Sequence, residues 1–218
     1  MRKMDIEKFI TNFEQQNNTY LVYCPGSKEA IVVDPSFEID PVIDRINELS
    51  LKVRFIINTH SHFDHIAGND AVKKATGAKL AIHSIEAGNL SDPEKNLSSA
   101  IPPIVTSEPA DILLEEGQEI VMETHLGPVV FKVLWTPGHS PGHICLKFHR
   151  GIFTGDIIFD GSIGRTDLPG GNIKDMKNSL TRLWKELPDD FEILPGHAET
   201  STVASQRHSN YLWEHMAI

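Results

Sequence analysis

The sequence predicts a mixed α/β fold in which helices cover sheets from outside. Three observations predict it. Short β-branched or aromatic apolar runs recur along the chain, helical patterns fall between some of them, and no low-complexity tract or Gly/Ser/Pro-rich linker divides it. In the first third, the runs at 20–23, 30–33, 53–57 and 79–82 read as strands, with helical patterns at 40–49 and 67–76 among them. Asp40-Pro41 suits a helix N-cap and first position, and Gly77 suits a C-terminal stop. The centre, 84–128, is less regular, and the stretch 93–103 reads as a loop. The runs at 129–135, 144–148, 152–154 and 191–194 supply the strands of the last third. A helix over 174–187 stops at Pro188, and a helix over 203–215 closes the chain, with Tyr211, Trp213 and Met216 as its core-facing stripe.

The 218 residues, 40% of them apolar, can bury a substantial core, and their length allows one large domain or two small ones. Thirty acidic against twenty basic side chains give a formal charge of −10, which argues against a protein whose task is to grip phosphate backbones. No apolar run approaches a membrane span, and the N-terminal stretch lacks the apolar region of a signal peptide. The two cysteines, Cys24 and Cys145, lie in strand-like surroundings and read as buried reduced thiols. The expectation is a soluble cytoplasmic protein without nucleic-acid or membrane partners; the oligomeric state is not legible.

Eleven histidines are the anomaly. The strongest local signal is Thr59-His60-Ser61-His62-Phe63-Asp64-His65, directly after the run 53–57. In extended backbone His60 and His62 point the same way, whereas Asp64 and His65 come where the chain turns into the next helix and can diverge to a neighbouring point. Pro137-Gly138-His139 and Pro195-Gly196-His197 each follow an apolar run, so a stiff corner presents each histidine at a sheet rim. Phe153-Thr154-Gly155-Asp156 is another strand end finished by a carboxylate. Four strand ends thus offer five histidines and two aspartates. Imidazole and carboxylate without thiolate suit Zn²⁺, Fe²⁺ or Mn²⁺, and seven side chains exceed one tetrahedral ion but suit two.

These four motifs, in this order and at these spacings, resemble the metal-ligand motifs of the metallo-β-lactamase superfamily, over nearly the whole chain. The resemblance implies an αβ/βα sandwich: two mixed β-sheets face to face, helices on the outer faces and metals at one edge. It assigns His60, His62 and His139 to one ion and Asp64, His65 and His197 to the other, with Asp156 as bridge. Asp156 stands where the true β-lactamases carry Cys or Ser, and the loop 155–168 is similar to that of short glyoxalase II-like hydrolases and of persulfide dioxygenases. The implied activity is hydrolysis of a small-molecule thioester such as S-lactoylglutathione by water activated on two divalent ions, most simply zinc, with Asp64 and Asp156 as the catalytic carboxylates.

Because 21 residues follow His197, a single domain over 1–218 is expected, without the separate C-terminal glutathione-binding domain of full-length glyoxalase II. The alternative is a single-iron persulfide dioxygenase using His60, His139 and Asp156; a nucleic-acid-directed or inactive scaffold member fits the charge and the complete ligand set less well. Arg165 could touch substrate or clamp its loop through Asp167, and Phe159 could wall the pocket or simply pack. Asp34 could support a metal-bound imidazole or shape a turn. His143 reads as a strand-start histidine beside the site, and His83, His125, His149, His208 and His215 as surface or cap residues.

Overall fold

Alternation along the strands divides the apolar side chains among three cores. The computed structural model describes residues 4–12 and 14–217; the domain expected over 1–218 also includes Met1, Arg2, Lys3, Phe13 and Ile218, which lie outside the described residues. The first sheet holds β1 (Asp5–Thr11), β2 (Asn17–Tyr23), β3 (Glu29–Val33), β4 (Lys52–Ile57), β5 (Lys79–His83) and β6 (Ile112–Leu114), in that order. Its first three strands run antiparallel and the rest parallel. The second sheet follows the order β14 (Ser201–Thr202), β13 (Glu192–Pro195), β10 (Gly151–Gly155), β9 (Ile144–Phe148), β8 (Val129–Trp135), β7 (Glu119–Met122), with one parallel pair, β10 with β13. A short hairpin of β11 (Ile158–Phe159) and β12 (Ser162–Ile163) stands apart.

Tyr20, Val22, Ile31, Val33 and Ile57 of the first sheet meet Phe131, Val133, Leu146 and Phe153 of the second between the sheets. The alternate residues Leu21, Val32 and Ile56 face outward onto α1 (Asp40–Glu48) and α3 (Asn69–Thr76) through Val42, Ile46 and Val72. On the other side, Cys145, Ile152 and Ile193 face α4 (Ile173–Glu186), α5 (Val203–Ser209) and α6 (Tyr211–Ala217) through Met176, Leu180, Val203 and Trp213. Helix, sheet, sheet, helix: this is the αβ/βα sandwich, and its strands take buried apolar residues on both faces, which is why they read as continuous apolar runs.

Two local expectations are corrected. The helix expected over 203–215 is broken at Asn210, whose amide donates to Ser162 O (2.7 Å) and whose Oδ1 accepts from Trp213 N (3.0 Å), restarting the helix as α6. The break changes the register, so Trp213 is buried while Tyr211 is 65% exposed. At α1 the cap is Ile39, with no side-chain cap bond, and Asp40 is already helical. Strands β1, β6, β7, β11, β12 and β14 were not legible, being short or only half-buried along their length. Cys24 and Cys145 are free buried thiols, as expected. Among the described residues no helix is long and apolar enough to cross a membrane.

Trp213 fastens α6 to α4: its indole donates to Leu180 O (3.0 Å) and meets the Trp184 ring edge-on. Trp213→Ala should lower stability by about 3–5 kcal/mol, read as a drop in the urea midpoint; an unchanged midpoint would show that α6 contributes nothing to the fold.

Candidate metal centre

The four chain segments that carry the motifs end at one edge of the sandwich. After β4 the chain bends at Thr59 and His60, is extended again at His62 (φ −61°, ψ 143°) and then turns into the single-turn α2 (Phe63–Ile66), which brings the His65 ring to 4.2 Å from that of His60. Asp156 follows β10, His139 follows β8 and His197 follows β13. Both Pro-Gly-His corners require their glycine. Gly138 has φ +147° with a Cβ direction that runs into the Met176 backbone, and a Cβ on Gly196 would collide with the Asp156 carboxylate and the His65 ring.

The structure brings all seven side chains together. Donor atoms of His60, His62 and His139 lie within 4.8 Å of one another, as do those of Asp64, His65 and His197, and those of His60, His65 and Asp156. Asp156 lies between the groups, 3.4 Å from His65 Nε2, 3.6 Å from His139 Nε2 and 3.5 Å from His197 Nε2. His139 Nε2 and His62 Nδ1 are 2.9 Å apart.

The outward nitrogen of four of these rings has an acceptor. His65 Nδ1 donates to Asp34 Oδ2 (3.2 Å), His139 Nδ1 to Arg165 O (2.9 Å) and His197 Nδ1 to Gln15 O (3.1 Å). Thr59 commits its hydroxyl proton to Asp34 Oδ2 (2.7 Å), so His60 Nδ1 donates to Thr59 Oγ1 (3.1 Å). Each of these rings therefore turns Nε2 into the cluster, the orientation a cation-binding imidazole needs. Buried His60 Nε2 and Asp156 Oδ1 have no hydrogen-bond partner, although buried polar atoms are normally satisfied. Seven oxygen and nitrogen donors, two of them orphaned, fit divalent cations.

Electrostatics point the same way. Burial drives His60 and His143 well below the usual imidazole range, and takes His62 down to about 4, with His139 adding repulsion. Burial opposes charge on His65 and His197 too, but Asp156 and Asp64 outweigh it, lifting His65 well above its ordinary value and His197 to about 10. Burial likewise works against ionised Asp64 and Asp156, yet the same imidazoles hold both carboxyls well below the carboxylate range. The two carboxylates thus favour the protonated form of His65 and His197, a balance that a cation at the cluster would take over.

Residues that sequence reasoning did not find hold the loops in place. Buried Glu86 accepts from the Ser61 backbone N–H and hydroxyl, from Ser140 Oγ (2.6 Å) and from Gly142 N (2.9 Å), tying the His60–His62 loop to the His139 loop. Glu86 lies in an otherwise featureless loop; the available signal was a serine directly after His60 and another after His139. Asn17 donates to Asp64 Oδ2 (2.9 Å). Asp34 turns out to serve the site, accepting from Thr59 N (2.7 Å) as well as from His65. His143 Nε2 accepts from Asp156 N (3.0 Å), fixing the backbone of that residue. His83 is buried and stacked on Trp135, not a surface residue. Arg165 lines the cavity over the cluster and makes a bidentate pair with Asp167 (2.7 and 2.8 Å); Phe159 packs its ring against His197 and is not among the residues lining that cavity.

The sequence profile of the Metallo-beta-lactamase superfamily matches residues 13–197. The chain belongs to the metallo-β-lactamase superfamily. It is 31% identical to the Haemophilus influenzae protein named Hydroxyacylglutathione hydrolase GloC, over 92% of this chain and 93% of that one. Its fold is similar to the crystal structure of the BLEG-1 B3 metallo-beta-lactamase (TM-score 0.88, 32% identity, 96% of this chain and 99% of that one). It is also similar to ETHE1 from Myxococcus xanthus (TM-score 0.76, 27% identity, 95% and 83%). Superfamily membership brings metal binding with it, and the cluster at the sandwich edge is where this chain would hold the ions.

Since His65 and His197 carry protons that a cation must displace, metal affinity should rise from pH 6 to pH 8 and fall as the pH is lowered. Calorimetry in two buffers of different ionisation enthalpy should record release of about two protons per chain on saturation; uptake indifferent to the buffer would contradict the assignment.

Proposed function

We propose that this metallo-hydrolase superfamily member cleaves thioesters, adding water across the acyl–sulfur bond to give a carboxylic acid and a thiol. The observation that carries this reading is Asp156, an aspartate reaching His65, His139 and His197 at once, beside a complete second group of Asp64, His65 and His197. A relative named Hydroxyacylglutathione hydrolase at 31% identity supports it. We assign His60, His62 and His139 to one ion, Asp64, His65 and His197 to a second, and Asp156 to both, with zinc as the simplest occupant. Such ions would supply an acidified water and an electrophile for the carbonyl oxygen.

The chain's own residues divide the remaining tasks. Asn17 holds one oxygen of Asp64, fixing the carboxylate so that its other oxygen can orient the water. Asp156, its backbone N–H fixed by His143, aligns the two groups. Four of the imidazoles have their Nδ1 protons committed to protein acceptors, so they are poor general acids. A thioester tolerates this, because a thiolate leaves with a thiol pKa of roughly 8.5 and needs little proton assistance. An amide would not.

The metal-loaded protein should hydrolyse a small acyl thioester, S-lactoylglutathione included, followed by free-thiol release under anaerobic conditions. Asp156→Asn should cut turnover by about 100-fold or more. Sulfite production from glutathione persulfide with a single iron, the reaction weighed as the alternative above, or β-lactam cleavage without thioester cleavage, would replace the thioester reading.

A further inference from the structure

Resting on the thioester reading, we propose that the site selects substrates by an apolar acyl chain and not by a hydroxyacyl group. The cavity over the cluster measures about 660 Å³, and its floor is formed by His62, Asp64, His139, Asp156 and His197. Leu97, Ala100, Ile101, Leu168 and Pro169 line it as well. Ile101 is 47% exposed, so apolar surface faces the cavity mouth with no protein covering it fully.

This wall is built, not incidental. Leu97 sits at φ +71°, a left-handed conformation that a branched side chain adopts only when its surroundings hold it. Its neighbours do so. Asn96 O accepts from Phe63 N (2.9 Å), Asn96 Nδ2 donates to Val105 O (2.9 Å), and Ser98 N donates to Asn96 Oδ1 (3.0 Å). Phe63 directly precedes Asp64, so the same bond that fixes the wall registers it against the cluster.

Charge gives the complementary constraint. Arg165, the guanidinium lining the cavity, is paired with Asp167, and Glu94 adds a carboxylate. A second cavity of about 290 Å³ shares His62, Glu94 and Pro169 with the first and is lined by Ser61, Asn89, Ser140 and by Lys95, which faces Asp92 at 3.3 Å. Its Ser61 and Ser140 hydroxyls are already committed to Glu86, so it adds little free hydrogen-bonding capacity beside the apolar wall. The apolar wall takes the acyl chain, whose burial it favours.

The test is an acyl series on one uncharged thiol, N-acetylcysteamine, with acetyl, butyryl, hexanoyl and lactoyl thioesters, assayed on the metal-loaded protein. The value of kcat/KM should rise about fourfold per added methylene, and lactoyl should fall below butyryl. Affinities of the non-hydrolysable ketone analogues, measured by calorimetry on metal-free protein, should follow the same order. In Leu97→Asn, which tolerates left-handed backbone, and in Ile101→Asn, at an exposed position, the hexanoyl-to-acetyl ratio should collapse towards one. A flat series, or a preference for lactoyl, in a protein that cleaves thioesters overturns the acyl-chain proposal alone. Chain-length-dependent binding with no thioester cleaved overturns the thioester reading and with it the assignment of the ligand as an acyl group.

Discussion

Five imidazoles and two carboxylates share one buried space at the edge of the sandwich, and every neighbouring feature answers to that crowding. Unpaired buried charge costs far more than a typical hydrogen bond returns. The chain meets this cost by giving the cluster a shell of acceptors: Asp34, Thr59, the carbonyl of Arg165 and that of Gln15 take the outward protons. What remains, inward lone pairs and two orphaned atoms, is a set of donors arranged for cations.

The sandwich makes such a shell feasible because the donors come from both sheets. β4 belongs to the first sheet, whereas β8, β10 and β13 belong to the second, so the cluster straddles the seam between them. Loops at such a seam would drift if only their strand ends held them. Glu86 removes that freedom by bonding to the loops of both sheets, and Asp34 does the same between β3 and the segment after β4. The cavity wall at Leu97 is registered to the cluster through one bond from Phe63 N to Asn96 O, so wall and cluster are set by adjoining residues.

The α/β class, eight strands and the positions of most helices were legible because these strands are buried on both faces and keep unbroken apolar runs. The seven clustered side chains were legible because chemistry demands particular residue types at particular strand ends. What escaped was of two kinds. Edge strands such as β1 and β14 are half-buried or very short, and their pattern is weak; the break at Asn210 rests on tertiary hydrogen bonds to β11 and β12 that no helical period reveals. The supporting residues Glu86 and Asn17 lie 25 and 47 positions from the residues they hold, and a common residue type at long range leaves no local signature.

On the reading proposed above, these seven side chains form one centre for two divalent ions. Elemental analysis of anaerobically purified, folded protein, with the metals identified and counted per chain, tests it most directly. Two ions per chain are expected. A folded chain that holds a single ion at saturation, or none, would contradict it.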